Sequence, residues 1–200
     1  MRVGVLALQG DVREHRAALS DLGCATVAVR SSADLDAVDA LVLPGGESTA
    51  ISHLLVTSGL DGPLHARLTA GMPAFGTCAG LVLLARTITD GRGDQHAYGL
   101  LDVEVRRNGY GRQVASFEGT CTVKGVGVVP TVFIRAPRIM SVGPDVEVLA
   151  TIDAGDGEHP VLVRQGAVLG AAFHPELTDD RRVHRLFLEL ATSGAAVASN

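Results

Sequence analysis

Short apolar runs alternate with amphipathic segments along the first half of the chain. Nearly continuous apolar runs, typical of strands buried on both faces, occupy residues 3–8, 25–29, 40–43 and 73–76. Helical patterning follows at residues 12–22 and again at 49–57. Asp11 is a candidate N-cap of the first helix, and Gly23 is its stop signal. This order predicts a parallel sheet with helices on both faces.

The second half contains short strand-like runs with few helices between them. These runs occupy residues 101–107, 120–123, 131–134, 146–151, 161–164 and 168–173. They indicate antiparallel additions to the sheet or a small side sheet. A last helix is predicted over residues 179–192, and the small polar tail at 193–200 is expected to fray. We therefore predict one three-layer α/β domain over residues 1–192, with a mostly parallel central sheet and antiparallel additions.

Composition narrows the possible functions without choosing among them. The 200 residues are 46% hydrophobic and 20% charged, with a net charge of −5 and both signs interspersed. This balance predicts no nucleic-acid partner and no membrane partner, and no apolar run reaches the ~18 residues of a membrane span. Three sparse cysteines without a secretion signal predict reduced thiols and a cytoplasmic protein. No Cys/His spacing predicts a metal site, and no cofactor is expected.

The clearest chemical signal is a cysteine at a predicted strand-to-helix turn. Cys78 lies between Gly76 and Gly80, after the apolar residues 72–75 and before the helix-forming residues 81–85. This is the pattern of a nucleophile elbow, in which glycines permit a sharp turn. The free N–H groups and the positive dipole end of the helix then favour thiolate, the reactive form of cysteine.

A histidine and a carboxylate follow a later strand-like run. His174 and Glu176 come directly after residues 168–173, and with Cys78 they form a candidate triad of nucleophile, base and orienting carboxylate. Each motif alone is also consistent with a small buried cysteine or with a loop bearing a surface carboxylate. Because both motifs follow strand-like runs, the catalytic interpretation is favoured.

A glycine pair provides candidate donors for an oxyanion. Gly45 and Gly46 follow the run at residues 40–43 and can expose backbone N–H groups, as an acyl-transfer site requires. The N–H of Gly46 and the N–H of Ala79 are the predicted pair. The alternative is a plain turn in which Ser48 caps the following helix.

The predicted site residues should converge at one edge of the sheet. Functional loops of such folds lie beyond the carboxyl ends of the parallel strands. Gln9 and Gly10, the glycine pair at 45–46, Cys78 and His174 all follow predicted strands in this way.

Six segments together resemble a known family. They are residues 4–10, 43–49, 76–80, 107–113 with 116–118, 133–137 and 173–178, and the likeness runs over about residues 2–190. The chain resembles the class I, triad-type glutamine amidotransferases and, within them, the glutaminase subunits of pyridoxal 5′-phosphate synthases. The triad motifs mark the wider family. The Leu-Gln-Gly, Asn-x-x-Gly-Arg-Gln and Phe-Ile-Arg-Ala-Pro segments mark the narrower one.

The resemblance implies a substrate and the residues that bind it. L-glutamine would be hydrolysed to L-glutamate and ammonia through a glutamyl thioester on Cys78. The residues expected to line the glutamine site are Gly45, Gly46, Glu47, Ser48, Arg107, Ile134 and Arg135. A surface charge beside Arg106 is the alternative for Arg107. Arg135 lies in an apolar run, so its charge is expected to have a partner, either glutamine or an internal carboxylate.

The resemblance also implies a partner. Gln9 and Gly10 would contact a TIM-barrel pyridoxal 5′-phosphate synthase subunit in a large hetero-oligomer, and this contact would switch the glutaminase on. The chain has a single lysine, Lys124, and no P-loop pattern, which suits a subunit that only donates nitrogen. Two other functions stay open: a different enzyme with an elbow cysteine, and a binding module that has lost its chemistry.

Overall fold

The computed structural model describes residues 1–91, 95, 97–109 and 116–197. Its strands are β1 (Arg2–Leu6), β2 (Ala25–Val29), β3 (Ala40–Leu43), β4 (Ala74–Thr77), β5 (Ala85–Ile88), β6 (Leu101–Arg106), β7 (Ser116–Val123), β8 (Gly127–Ile134), β9 (Arg138–Val142), β10 (Glu147–Asp153), β11 (Glu158–Gln165) and β12 (Val168–Ala171). Its helices are α1 (Val12–Asp21), α2 (Ser32–Asp36), α3 (Ser48–Thr57), α4 (Asp61–Thr69), α5 (Ala79–Leu84) and α6 (Arg182–Val197), with a 3₁₀ turn at Pro175–Leu177.

A seven-stranded sheet forms the centre of the molecule. Its order is β10-β11-β12-β4-β3-β1-β2. The five strands from β12 to β2 pair in parallel, whereas β11 pairs antiparallel with β12 and with β10. Every residue of β3 and of β4 is buried, as expected for strands covered on both faces. The predicted α/β class is confirmed, including its antiparallel additions.

Two smaller sheets contain the remaining strands. One joins β5, β6 and β9, and the other is the antiparallel hairpin of β7 and β8. The sequence pattern missed β5 and β9 as strands. Strand β9 has a mostly exposed, partly polar sequence, because it lies at the edge of its sheet and one face stays in solvent.

The helix predictions need four corrections, the first of which is that they omit the short helix α2, which Ser31 caps through a capping box with Asp34. Helix α4 was missed because Gly62 and Pro63 read as a break, yet both lie in its first turn, where proline is tolerated. Asp11 occupies the N-cap position of α1, but its side chain makes no capping hydrogen bond. Helix α6 begins at Arg182 and continues to Val197, so the tail expected to fray from residue 193 is helical up to there.

Aromatic packing fixes α6 and the site-bearing strands to each other. Phe187 of α6 lies 5.5 Å from Phe75 of β4, measured between ring centroids. Phe133 of β8 lies 5.9 Å from Phe173, the residue before His174. All four rings are fully buried. Within the described residues, no helix combines the length and apolar composition that a membrane crossing requires.

Close packing of the elbow against β3 leads to a stability prediction. A Cβ added to Gly80 would lie 2.0 Å from the carbonyl oxygen of Leu43, a backbone atom that has little room to move. We expect Gly80→Ala to lower the free energy of unfolding by roughly 3 kcal/mol, the upper end of the usual overpacking range. Chemical denaturation of both proteins measures this difference.

Gly62→Ala is the matched control for that substitution. Nothing lies within 4 Å of a Cβ built at Gly62, apart from its chain neighbours, in the first turn of α4 directly before Pro63. The substitution should change stability by less than about 1 kcal/mol, because the better helix propensity of alanine is offset by the restriction that Pro63 places on a non-glycine residue before it. Equal effects at Gly80 and Gly62 would contradict the packing argument.

Candidate active site

Cys78 lies at the tip of a strained turn between β4 and α5. Its φ is +47°, a region that residues other than glycine seldom occupy. Its N–H donates a 2.8 Å hydrogen bond to the carbonyl of Ala171 at the end of β12, and the Sγ atom lies 3.9 Å from the carbonyl of Ile134. The side chain is 7% exposed. The strand, turn and helix of a nucleophile elbow are therefore all present.

His174 and Glu176 meet directly beyond the end of β12. The Nδ1 atom of His174 lies 2.7 Å from Oε1 of Glu176, and both side chains are buried. The N–H of His174 donates to the carbonyl of Val132, which holds the residue against β8. Nε2 of the same ring has no hydrogen-bond partner of standard geometry in the described part of the chain.

Opposing effects set the protonation of this pair. Burial lowers the pKa of His174, but its polar neighbours Asp11, Cys78 and Glu176, together with the charge of Glu176, raise it to about 12. Burial raises the pKa of the Glu176 carboxyl, and hydrogen bonding to His174 partly offsets this. The pair therefore favours a proton on the imidazole next to the carboxylate.

The loop after β3 packs tightly against the histidine. A Cβ on Gly45 would lie 2.3 Å from Cε1 of His174, so only glycine allows this approach. Gly46 has a φ of +153°, and Oε1 of Gln9 occupies the space where its Cβ would be. The N–H of Glu47 donates a 2.8 Å hydrogen bond to that same oxygen. Gln9 thus holds the loop in its present conformation.

The residue that caps α3 is not the one that the sequence suggested. Glu47, not Ser48, is the N-cap, and its carboxylate accepts from the N–H groups of Thr49 and Ala50 at 3.1 and 2.7 Å. Ser48 is the first helical residue, and its hydroxyl accepts from the amide of Gln95. Partial burial raises the pKa of the Glu47 carboxyl, but the hydrogen bonds from Thr49 and Ala50 are among the contacts that keep this pKa low.

These side chains surround one cavity of about 310 Å³. Its lining includes most of the predicted residues together with four that sequence reasoning missed: Asp11, Val82, Asn108 and Pro137. The complete described lining is Gln9, Asp11, Gly46, Glu47, Ser48, Cys78, Ala79, Val82, Arg107, Asn108, Ile134, Arg135, Pro137 and His174. Gly10 and Gly45 are not part of this lining; they pack against each other, and Gly45 packs against His174.

The two arginines of the predicted glutamine site have different environments. Arg107 reaches into the cavity, where it donates to Thr49 and Gln95 and lies 3.5 Å from the Glu47 carboxylate. It is therefore not a plain surface charge. Arg135 was expected inside an apolar strand, but β8 ends at Ile134 and Arg135 is exposed with a φ of +44°. Burial therefore does not force a partner on it. Residues 110–113 of the predicted Asn-to-Gln motif lie outside the described residues.

Asp11 was missed as a site residue because its position suggested only a helix cap. Its Oδ2 atom lies 3.4 Å from Nδ1 of His174, on the cavity side of the ring. Within the described residues, Asp11, His174 and Glu176 bring ligand atoms within 4.8 Å of one another, close enough for one metal ion. The same spacing arises from an imidazole placed between two carboxylates, and the short bond from His174 to Glu176 needs no ion to explain it.

A mostly parallel α/β sheet carries a cysteine elbow, a histidine–glutamate pair and a glycine loop around one cavity. The model of the SNO glutamine amidotransferase family matches residues 5–193. The chain belongs to that family.

Individual relatives agree with this membership. A protein of Acidothermus cellulolyticus named pyridoxal 5′-phosphate synthase subunit PdxT is 54% identical over 199 residues, covering 98% of this chain and 96% of that protein. A protein of the same name from Mycolicibacterium vanbaalenii is 58% identical over 191 residues, covering 94% and 96%. A solved structure described as a glutamine amidotransferase superposes with a TM-score of 0.87 at 50% identity, covering 95% and 98%.

Proposed function

We propose that this chain is the glutaminase subunit of a pyridoxal 5′-phosphate synthase. It hydrolyses L-glutamine to L-glutamate and ammonia and supplies the ammonia to a synthase subunit. The observation that carries the proposal is the buried pair of His174 and Glu176, 2.7 Å apart, beside the elbow thiol of Cys78. Relatives that carry the name of this synthase subunit match nearly the whole chain at 54–58% identity.

The reaction begins with thioester formation. His174 takes the proton of the Cys78 thiol, Sγ attacks the side-chain amide carbon of glutamine, and the carbonyl electron pair moves onto oxygen. The N–H groups of Gly46 and Ala79 hold this oxyanion. Ala79 is the first residue of α5, so its N–H has no partner within the helix. The carbon–nitrogen bond then breaks as the imidazolium of His174 protonates the departing nitrogen, which leaves as ammonia.

Hydrolysis of the thioester completes the cycle. Once Cys78 is acylated, it no longer helps to hold a proton on His174, so the neutral imidazole can take a proton from water. The resulting hydroxide attacks the thioester carbon, and His174 returns the proton to the leaving sulfur. Glu176 keeps the Nδ1–H tautomer throughout, so that Nε2 exchanges the protons.

Charges around the cavity suit the two ends of an amino acid. Arg107 and Arg135 supply guanidinium groups for the α-carboxylate, and Glu47 supplies a carboxylate near the α-ammonium group. Ser48, Gly45, Gly46 and Ile134 complete the glutamine site. No resident metal or cofactor takes part in these steps.

The partner is a TIM-barrel synthase subunit in a large hetero-oligomer, and Gln9 with Gly10 forms part of the contact. The hydrogen bond from Glu47 N–H to Gln9 ties the oxyanion loop to this region. A partner that binds here can therefore change the loop conformation and switch hydrolysis on. Both subunits would work in the cytoplasm, where the three free thiols stay reduced.

Glutamate release from glutamine, with and without the cognate synthase subunit, tests this function. We expect activity to rise sharply with the partner and the rise to be lost in Gln9→Leu, which removes the acceptor of the Glu47 N–H. Gln165→Leu is the matched control, because Gln165 accepts a backbone N–H of Asp102 in a different part of the fold. Full activity without the partner would contradict gating. No glutamate in any condition would favour a different enzyme with an elbow cysteine, or a binding module that has lost its chemistry.

A further inference from the structure

A cluster of buried polar side chains lies behind the triad carboxylate. It consists of His15 of α1, Thr77 of β4 and His184 of α6, and it contacts Glu176. His15, Thr77 and His184 have no exposed surface, and none of them is among the described residues that line the cavity. We call these three side chains the His15 cluster. The mechanism above makes no use of it.

The two oxygens of Glu176 face different histidines. Oε1 accepts from Nδ1 of His174 at 2.7 Å, and Oε2 lies 3.4 Å from Nε2 of His15. No described residue gives Oε2 a hydrogen bond of standard geometry. A buried carboxylate oxygen without a donor is costly, so the nearby His15 nitrogen is the group placed to supply one.

The second histidine determines which nitrogen of His15 carries hydrogen. Nδ1 of His15 lies 3.0 Å from Nε2 of His184, so one of the two must donate to the other. If His184 donates, His15 keeps its hydrogen on Nε2, where Glu176 and the Thr77 hydroxyl at 3.0 Å can share it. The opposite tautomer would direct a nitrogen lone pair at the carboxylate.

Charge and burial support neutral rings for both histidines. Burial, with help from the nearby His184 and His174, lowers the pKa of His15 well below its usual range. Burial and the charge of Arg181 lower the pKa of His184 to about 4. Each ring therefore carries one N–H at neutral pH, and donation from His184 to His15 leaves the His15 hydrogen on Nε2, the nitrogen nearest Glu176.

We propose that His15 is a positioning residue, which donates its Nε2–H to Glu176 and so holds the carboxylate that orients His174. His184 acts one step further away by fixing the tautomer of His15. Thr77 immediately precedes Cys78, so the same imidazole also contacts the strand that carries the nucleophile. This inference rests on the proposed triad function.

The sequence contains the signal for this cluster, although it does not identify the partner. His15 lies on the buried face of α1 together with Ala18 and Leu19, and His184 lies one turn before the buried Phe187 in α6. A histidine on an otherwise apolar helix face must find a hydrogen-bond partner inside the fold. Only the packing of α1 and α6 against the end of β4 brings the His15 ring to Glu176 and the His184 ring to His15.

Two amide variants test the role of the Nε2 hydrogen. The amide nitrogen of His15→Gln can occupy the position of Nε2, whereas the shorter side chain of His15→Asn reaches only the position of Nδ1. With the synthase subunit present, we expect His15→Asn to lower kcat by about 10- to 100-fold with KM within about twofold, as for lost supporting partners of functional histidines. His15→Gln should recover most of the loss.

The pH profile separates positioning from a merely structural role. Glu176 is faced by His174 on its own segment, by Asp11 from the loop before α1 and by His15 from α1; His184 and Arg181 lie behind His15. Loss of the His15 donor disfavours the carboxylate form of Glu176. The acid limb of the kcat profile should therefore move to higher pH in His15→Asn and stay in place in His15→Gln.

Leu19→Ala is the control for general destabilisation of α1. Leu19 lies one turn beyond His15 and is fully buried. It should lower the melting temperature without moving the acid limb. Equal kcat and equal profiles for His15→Asn and His15→Gln, or an unchanged His15→Asn enzyme, would overturn the positioning role. Full activity of Cys78→Ala would instead overturn the triad itself, so the two failures are distinguishable.

Discussion

Cys78→Ala is expected to abolish glutamine hydrolysis, with kcat falling by ~10⁴-fold or more. Sγ is the atom that forms the thioester, and alanine leaves nothing to replace it. The fold should persist, because alanine is smaller than cysteine and both residues meet the same strain at a φ of +47°. Glutamate release in the presence of the synthase subunit measures the loss, and circular dichroism with thermal melting checks the fold.

Cys121→Ala is the matched control. Cys121 is a buried thiol of β7, and burial raises its pKa to about 11, which leaves it inert. This variant should keep the wild-type kcat. Acid quenching during turnover should trap a glutamyl adduct in wild type and in Cys121→Ala, and none in Cys78→Ala. Glutamate release by Cys78→Ala at a rate near wild type would contradict the assignment of the nucleophile.

The parallel part of the fold could be predicted because its strands are buried on both faces. Such strands are continuous apolar runs, as at β3 and β4, and the glycines or polar residues that follow mark the site edge. The sequence therefore placed Gln9, Gly46, Cys78 and His174 at one edge of the sheet. In the structure, all four residues line the same cavity.

The remaining site contacts depend on packing that a linear pattern does not encode. Ser48 has the residue type of an N-cap, yet Glu47 caps α3 because the chain turns one residue earlier. Arg135 follows an apolar run, but the strand ends just before it and its side chain emerges into solvent. Asp11 and His15 belong to a helix start and a helix face, and the triad residues beside them, His174 and Glu176, lie more than 150 residues away along the chain.

The predictions missed helix α4 and the edge strand β9 for related reasons. Helix α4 carries Gly62 and Pro63 in its first turn, where local propensity disfavours a helix. The packing of the buried Leu64 and Leu68 stabilises the helix nevertheless. Strand β9 pairs only with β6, and three of its five residues are exposed, so no apolar period identifies it. These elements lie away from the cavity, which is why the predicted site survived their omission.

His174→Gln is expected to reduce kcat by ~10⁴-fold and to slow the reaction of Cys78 with iodoacetamide at neutral pH. The polar neighbours Asp11, Cys78 and Glu176 raise the pKa of His174 to about 12 against the opposing effect of burial, so wild type keeps an imidazolium beside the sulfur. Glutamine as a side chain carries no charge. Loss of the imidazolium removes the positive neighbour that favours thiolate, so alkylation at neutral pH should be slower than in wild type.

His53→Gln makes the same substitution at an exposed position of α3 and should leave both measurements unchanged. Alkylation of the isolated subunit needs no partner, so it reports on the pair of Cys78 and His174 even if hydrolysis is silent without the synthase. An unchanged alkylation rate in His174→Gln would show that the histidine does not set thiol reactivity. Loss of kcat with an unchanged alkylation rate would restrict His174 to protonating the departing ammonia, and slower alkylation with normal kcat would contradict its role as the acid.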